Sequence, residues 1–119
     1  METQRPKQYD LEERTMNFAK RVIGFVGTVP QSIANIEIIK QVIRSSGSVG
    51  ANYIEANESL SKKDFAMRVK ICRKEAKETR YWLHLIEAPG DDAGKIRASL
   101  IGEATELTKI FGAIVEKVA

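Results

Sequence analysis

The chain has 119 residues, 43% hydrophobic and 29% charged, with a formal net charge of +3 and a pI near 9.1. That length and balance fit a single globular domain, residues 1–119, with a core of its own, and exclude a disordered or fibrous class. Cys72 is the only cysteine, which excludes a disulfide framework and a thiolate metal site and fits a reducing compartment.

The opening "METQRPKQYDLEER" is polar and lacks an apolar signal core, and residues 1–9 read as a flexible tail. Asp10 with Glu13 three residues later reads as a capping box that starts the first helix. Leu11, Phe18, Val22, Phe25, Val26 and Val29 follow at helical spacing. The most apolar run, "VIGFVGTV", is far too short to cross a bilayer. A cytoplasmic protein without a membrane partner is expected.

A second helix runs from about Ser32 to Asn57. Its apolar and small residues, from Ile36 and Ile39 through Val49 to Ile54 and Ala56, cover half the circumference or more, wider than one bundle core requires. Within it lies "RSSGSVGANYIEAN", where Gly47 and Gly50 each cost about 1 kcal/mol relative to alanine. Close approach of another backbone, in the same chain or in a second copy, would return that cost. Gln41, Arg44, Ser48, Asn52 and Glu55 fall in one column at spacings of three and four, where i,i+4 neighbours exchange hydrogen bonds. A structural or interface polar network is the expected role, with a solvated face or a small-ligand site as alternatives.

Ser61 and Asp64 mark the start of a third helix reaching about Glu87, with Phe65, Val69, Cys72, Ala76, Leu83 and Ile86 as its apolar stripe. The positive charge is concentrated here. Lys62 to Arg80 holds eight basic and three acidic residues, net +5, against eleven and thirteen elsewhere, net −2. Seven of the eight cations, Lys62, Lys63, Lys70, Arg73, Lys74, Lys77 and Arg80, share an arc of about 120° with Tyr81 and His84, while the acids lie on another arc beside Trp82 and Leu85. Such a face meets the phosphates of nucleic acid, meets an acidic protein partner, or is simply solvated. "APGDD" is a loop, and Ile96, Leu100, Ala104, Leu107, Phe111, Ile114 and Val118 set a fourth helix. No segment alternates as a strand, so the expected fold is all-α, an antiparallel up-down-up-down four-helix bundle.

Catalytic signals are missing from the sequence. There is no Gly-rich phosphate loop and no nucleophile elbow. His84 is the only histidine and has Tyr81, not glutamate, three residues before it, which removes a di-iron bundle site. No cofactor, metal ligand or catalytic residue is expected, and the chain reads as a non-enzyme.

"QVIRSSGSVGANYIEANESLSKKDF", continuing through "RVKICRKEAKETRYWLHLI", resembles the bacterial four-helix-bundle family linked to intervening sequences in 23S ribosomal RNA genes. Gln41, Arg44, Ser45, Ser48, Asn52 and Glu55 match its pattern, as do Ser61, Asp64, Phe65, Glu78, Trp82 and Leu83. Ala56 stands where the pattern has glycine, and Tyr53-Ile54 replaces Ile-Ala. The resemblance implies a homopentameric barrel. It also implies kinship with accessory proteins of diversity-generating retroelements, which partner a reverse transcriptase and present a basic surface to nucleic acid. From residues and resemblance together, the expected function is non-enzymatic binding of RNA or DNA backbone through the third helix, with an acidic protein partner as the alternative.

Overall fold

Ser32 and Ser61 each sit in extended backbone just ahead of a helix. Each hydroxyl accepts from the N–H three residues on, at Asn35 and Asp64, both at 3.1 Å. These bonds satisfy amides that the first helical turn leaves without partners. The structure, a computed structural model, describes residues 7–118. Its four helices are α1 (Lys7–Val26), α2 (Ile33–Asn57), α3 (Lys62–Leu85) and α4 (Asp91–Val118), with no strand among the described residues. Gly90 before α4 has φ of +96°, a conformation that glycine adopts without steric cost.

The start of α1 corrects the sequence reading. Helix begins at Lys7, so Asp10 lies inside it and is not its cap, and residues 7–9 of the expected tail fall in the first turn of α1. Lys7, Gln8 and Tyr9 include no helix breaker, and a helix propagates through such residues once nucleated. The rest of the expected tail, 1–6, lies outside the described residues.

The stripes converge on one core. Phe18 and Val22 of α1, Val42 and Val49 of α2, Val69 and Leu83 of α3, and Leu100 and Phe111 of α4 are all buried. α2 packs on α1 and α3, and α3 packs on α4; α1 touches α4 more lightly. That last seam is closed by polar contacts. Arg14 holds Glu103 through two bonds of 2.7 and 2.9 Å, and Arg21 donates to Ser99 Oγ at 2.7 Å. Across the centre, Tyr53 and Phe111 stack at a tilt with ring centroids 5.6 Å apart. Cys72 is fully buried, and desolvation pushes its thiol up to about 12, which removes it from thiolate chemistry.

The two helix-interior glycines of α2 differ. A Cβ at Gly50 would lie 2.8 Å from Thr15 Oγ1 and 3.2 Å from Thr15 Cβ. Thr15 cannot turn away freely, because it is buried and its hydroxyl donates to the Leu11 carbonyl at 2.7 Å. The backbone approach at Gly50 is therefore made within the chain, by α1. At Gly47 a Cβ meets nothing within 4 Å. Gly50→Ala is expected to lower stability by a net of up to about 2 kcal/mol, overpacking of about 1–3 set against a propensity gain of about 1, read from the urea midpoint.

Candidate nucleic-acid interface

Placing Val69, Cys72, Ala76 and Leu83 in the core turns the opposite arc of α3 to solvent. Lys62, Lys63, Lys70, Lys74, Lys77 and Arg80 are exposed on it, and Arg73 is half-buried. The Arg73 stem rests against α4, its Cδ lying 3.7 Å from where a Cβ on Gly112 would be. Arg68, the eighth cation, points elsewhere and donates to Asn52 Oδ1 at 3.0 Å. Among the described residues, the one carboxylate within 4.0 Å of any of the seven cations is Glu75, whose Oε2 lies 4.0 Å from Lys74 Nζ.

Two of the three acids of α3 are occupied on its other side, by α2. Arg44 Nη1 donates to Glu75 Oε1 at 3.3 Å, and Nη2 donates to Glu78 Oε2. Gln41 Oε1 steadies the same guanidinium at 3.4 Å from Nε, and Trp82 Nε1 donates to Glu78 Oε2 at 3.0 Å. Glu75 is 7% exposed, a burial that a carboxylate tolerates only with a partner. One arginine on α2 thus engages two of the three acids interspersed among the α3 cations, and among the described residues Lys74 is the one cation of the basic arc with a carboxylate within 4.0 Å.

The column on α2 divides in two. Gln41 and Arg44 belong to the cluster on Glu75, Glu78 and Trp82. Asn52 donates to the Ser48 backbone carbonyl at 2.9 Å while accepting from Arg68. The hydroxyl exchange expected of Ser48 is replaced by this carbonyl contact. Glu55 is exposed, and with Glu58, Asp64, Met67, Arg68 and Ile71 it lines an open groove near the α2–α3 turn. A deeper pair, Ser45 and Thr79, brings hydroxyls to 2.8 Å between the same two helices. Among the described residues, the side-chain partners of this column on another helix, Glu75, Glu78 and Arg68, all lie on α3.

The hydrogen bond from Trp82, with the Arg44 charge, holds the Glu78 carboxyl below the usual range. A depressed carboxyl contributes stability above its unfolded pKa, and that contribution is lost as pH falls through the folded value. Glu78→Gln is therefore expected to cost stability at pH 7 and progressively less below the ordinary carboxylate range. Urea titrations of both proteins at pH 7 and at acid pH check this.

Two features escaped the sequence reading. Glu75 looks like one more surface acid on a charged helix, and only the approach of Arg44 from α2 buries it. Asn35, among the isoleucines at the start of α2, is fully buried. Its Nδ2 donates to the carbonyls of Pro30 at 2.9 Å and Glu87 at 3.0 Å, and its Oδ1 accepts from Glu87 N at 2.9 Å. It ties the entry of α2 to the exit of α3.

Among the described residues, no group of three or more His, Cys, Asp or Glu side chains is placed to hold a metal ion, and no helix is long and apolar enough to cross a membrane. The fold is similar to a crystal structure of a protein with unknown function from the S23 ribosomal protein family of Bacteroides thetaiotaomicron VPI-5482. The two share 29% identity over 93% of this chain and 99% of that one, with a TM-score of 0.80. No curated protein matches the chain. The family described as 23S rRNA-intervening sequence protein matches residues 7–113. With nearly the whole chain covered, and with the four helices its pattern implies, this protein belongs to the 23S rRNA-intervening sequence protein family.

Proposed function

We propose that the protein is a non-enzymatic, cytoplasmic bundle that binds the phosphate backbone of RNA or DNA through Lys62, Lys63, Lys70, Arg73, Lys74, Lys77 and Arg80. The observation that carries this reading is the missing counter-charge: of these seven cations on one arc, Lys74 alone has a carboxylate within 4 Å among the described residues. Unpaired cations on a helix face gain most from phosphate, because binding releases the counterions condensed on the nucleic acid. Contacts of this kind position a strand without reading its bases. In a binding assay with labelled RNA and DNA at low salt, both are expected to bind. An absence of binding, alongside an acidic protein retained from nuclease-treated lysate, would move the face to a protein partner such as a polymerase.

The proposal includes an antiparallel up-down-up-down arrangement and assembly as a homopentamer. Contact order supports the first: Asn35 meets Glu87, Arg44 meets Glu78 and Asn52 meets Arg68, so α2 ascends as α3 descends. Unpartnered apolar surface supports the second. Ile36, Ile43 and Ile54 of α2 and Met16 and Ile23 of α1 are 39–57% exposed, and Met16 and Ile54 line one groove with Gly47. Exposed apolar surface on two packed helices favours association. Light scattering at micromolar concentration is expected to give about 66 kDa, five times the 13.3 kDa chain. A monomeric mass would contradict the assembly.

A further inference from the structure

The basic arc carries one feature that phosphate contacts do not use. Tyr81 lies on it one turn beyond Lys77, about 6 Å further along the helix axis, and is 57% exposed. An aromatic ring of that size left in water forfeits burial that the core could have provided. Nor is the ring loose. It meets Trp82 in a T-shaped contact, with centroids 5.0 Å apart and planes at 70°. Trp82 is itself fixed, since its Nε1 donates to Glu78, which Arg44 holds in turn. The polar cluster between α2 and α3 thus ends in a braced, solvent-facing aromatic at the end of a row of cations.

From this juxtaposition we infer that the site takes single-stranded nucleic acid, with a base stacked on Tyr81 while the flanking phosphates lie on Lys77, Lys74 and Lys70. A cationic track with an aromatic platform is what a single strand needs, because its bases present free π-faces. A duplex hides those faces in its own stack and offers this surface only its phosphates. Tyr81 contacts the strand; Arg44, Glu78 and Trp82 act as positioning residues behind it. The inference rests on the phosphate-binding reading above and adds the strand state of the ligand.

The test measures binding of a labelled oligo(U), an oligo(dT) and a duplex of equal length by fluorescence anisotropy, for the wild-type protein, Tyr81→Ala and Tyr81→Phe. Tyr81→Ala is expected to weaken single-strand binding by about ten-fold, with duplex affinity and the salt slope unchanged, and Tyr81→Phe is expected to behave as wild type. Equal effects of Tyr81→Ala on both strand states, or none on either, would overturn the stacking role while leaving the cation site intact. If the wild-type protein bound none of the three probes at low salt, the phosphate reading would fall, and this inference with it. Because Tyr81 is exposed, both variants are expected to fold, which thermal melts verify.

Discussion

Replacing Arg73, Lys74 and Lys77 together by glutamate is expected to abolish binding of RNA and DNA while the helices remain formed. Each reversal removes two units of charge, so Lys62–Arg80 goes from +5 to −1 and the whole chain from +3 to −3. Three lost phosphate contacts alone would flatten the log–log salt slope on duplex DNA by about 2.7. The three new carboxylates also repel the strand, so the loss of affinity at low salt is expected to exceed 100-fold. Lys74 and Lys77 are exposed, and Lys74 lies no nearer than 4.0 Å to Glu75. Arg73 is different, because its stem packs beside Gly112, and its replacement removes packing as well as charge. A second variant, Lys70→Glu with Lys77→Glu, alters exposed lysines only and separates the two effects. It is expected to melt like the wild-type protein and to lose most of the binding. Full binding by either folded variant would remove α3 from the interface.

The largest loss of stability is expected at Asn35. Asn35→Ala removes three hydrogen bonds from a fully buried group and leaves the Pro30 and Glu87 carbonyls and the Glu87 amide to find other partners. The expected cost is about 2–4 kcal/mol. Asn35→Asp discriminates further. Its carboxylate still accepts from Glu87 N but presents negative charge to two carbonyl oxygens where a donor is needed. At pH 7 this variant is expected to be less stable than the alanine variant. Its carboxyl would be raised in the folded state, so stability should return as pH falls and the proton restores a donor. Urea denaturation at pH 7 and near pH 4 measures both variants. An aspartate variant as stable as wild type at pH 7 would show that the amide is not the tie between the α2 entry and the α3 exit.

Much of the fold is legible in the chain because it depends on neighbours a few residues apart. Ser61 and Asp64 announce α3 locally, and Leu100, Ala104, Leu107 and Phe111 trace the buried face of α4 by spacing alone. Asp10 misled because a cap-like pair also occurs inside a helix, and α1 had no breaker to stop it before Lys7. The basic arc of α3 and the separate arc of its acids could be drawn on a wheel, whereas the engagement of two of those acids by α2 could not. That depends on Arg44, 31 and 34 positions from Glu75 and Glu78. Asn35 is hidden for the same reason, since its partner Glu87 is 52 positions away. The glycines show the limit most directly. Gly47 and Gly50 look alike in sequence, and only the path of α1 past Thr15 makes one a packing requirement and leaves the other beside open space.

The most direct test of the central claim is the affinity of the wild-type protein for labelled duplex and single-stranded RNA and DNA across a salt series. Each phosphate neutralised on duplex DNA contributes about −0.9 to the slope of log affinity against log salt. A face with seven cations is expected to engage at least about four phosphates, giving a slope of about −3.6 or steeper. Affinity that is flat across the series, or absent even at low salt, would contradict the account and reduce the α3 cations to a solvated surface.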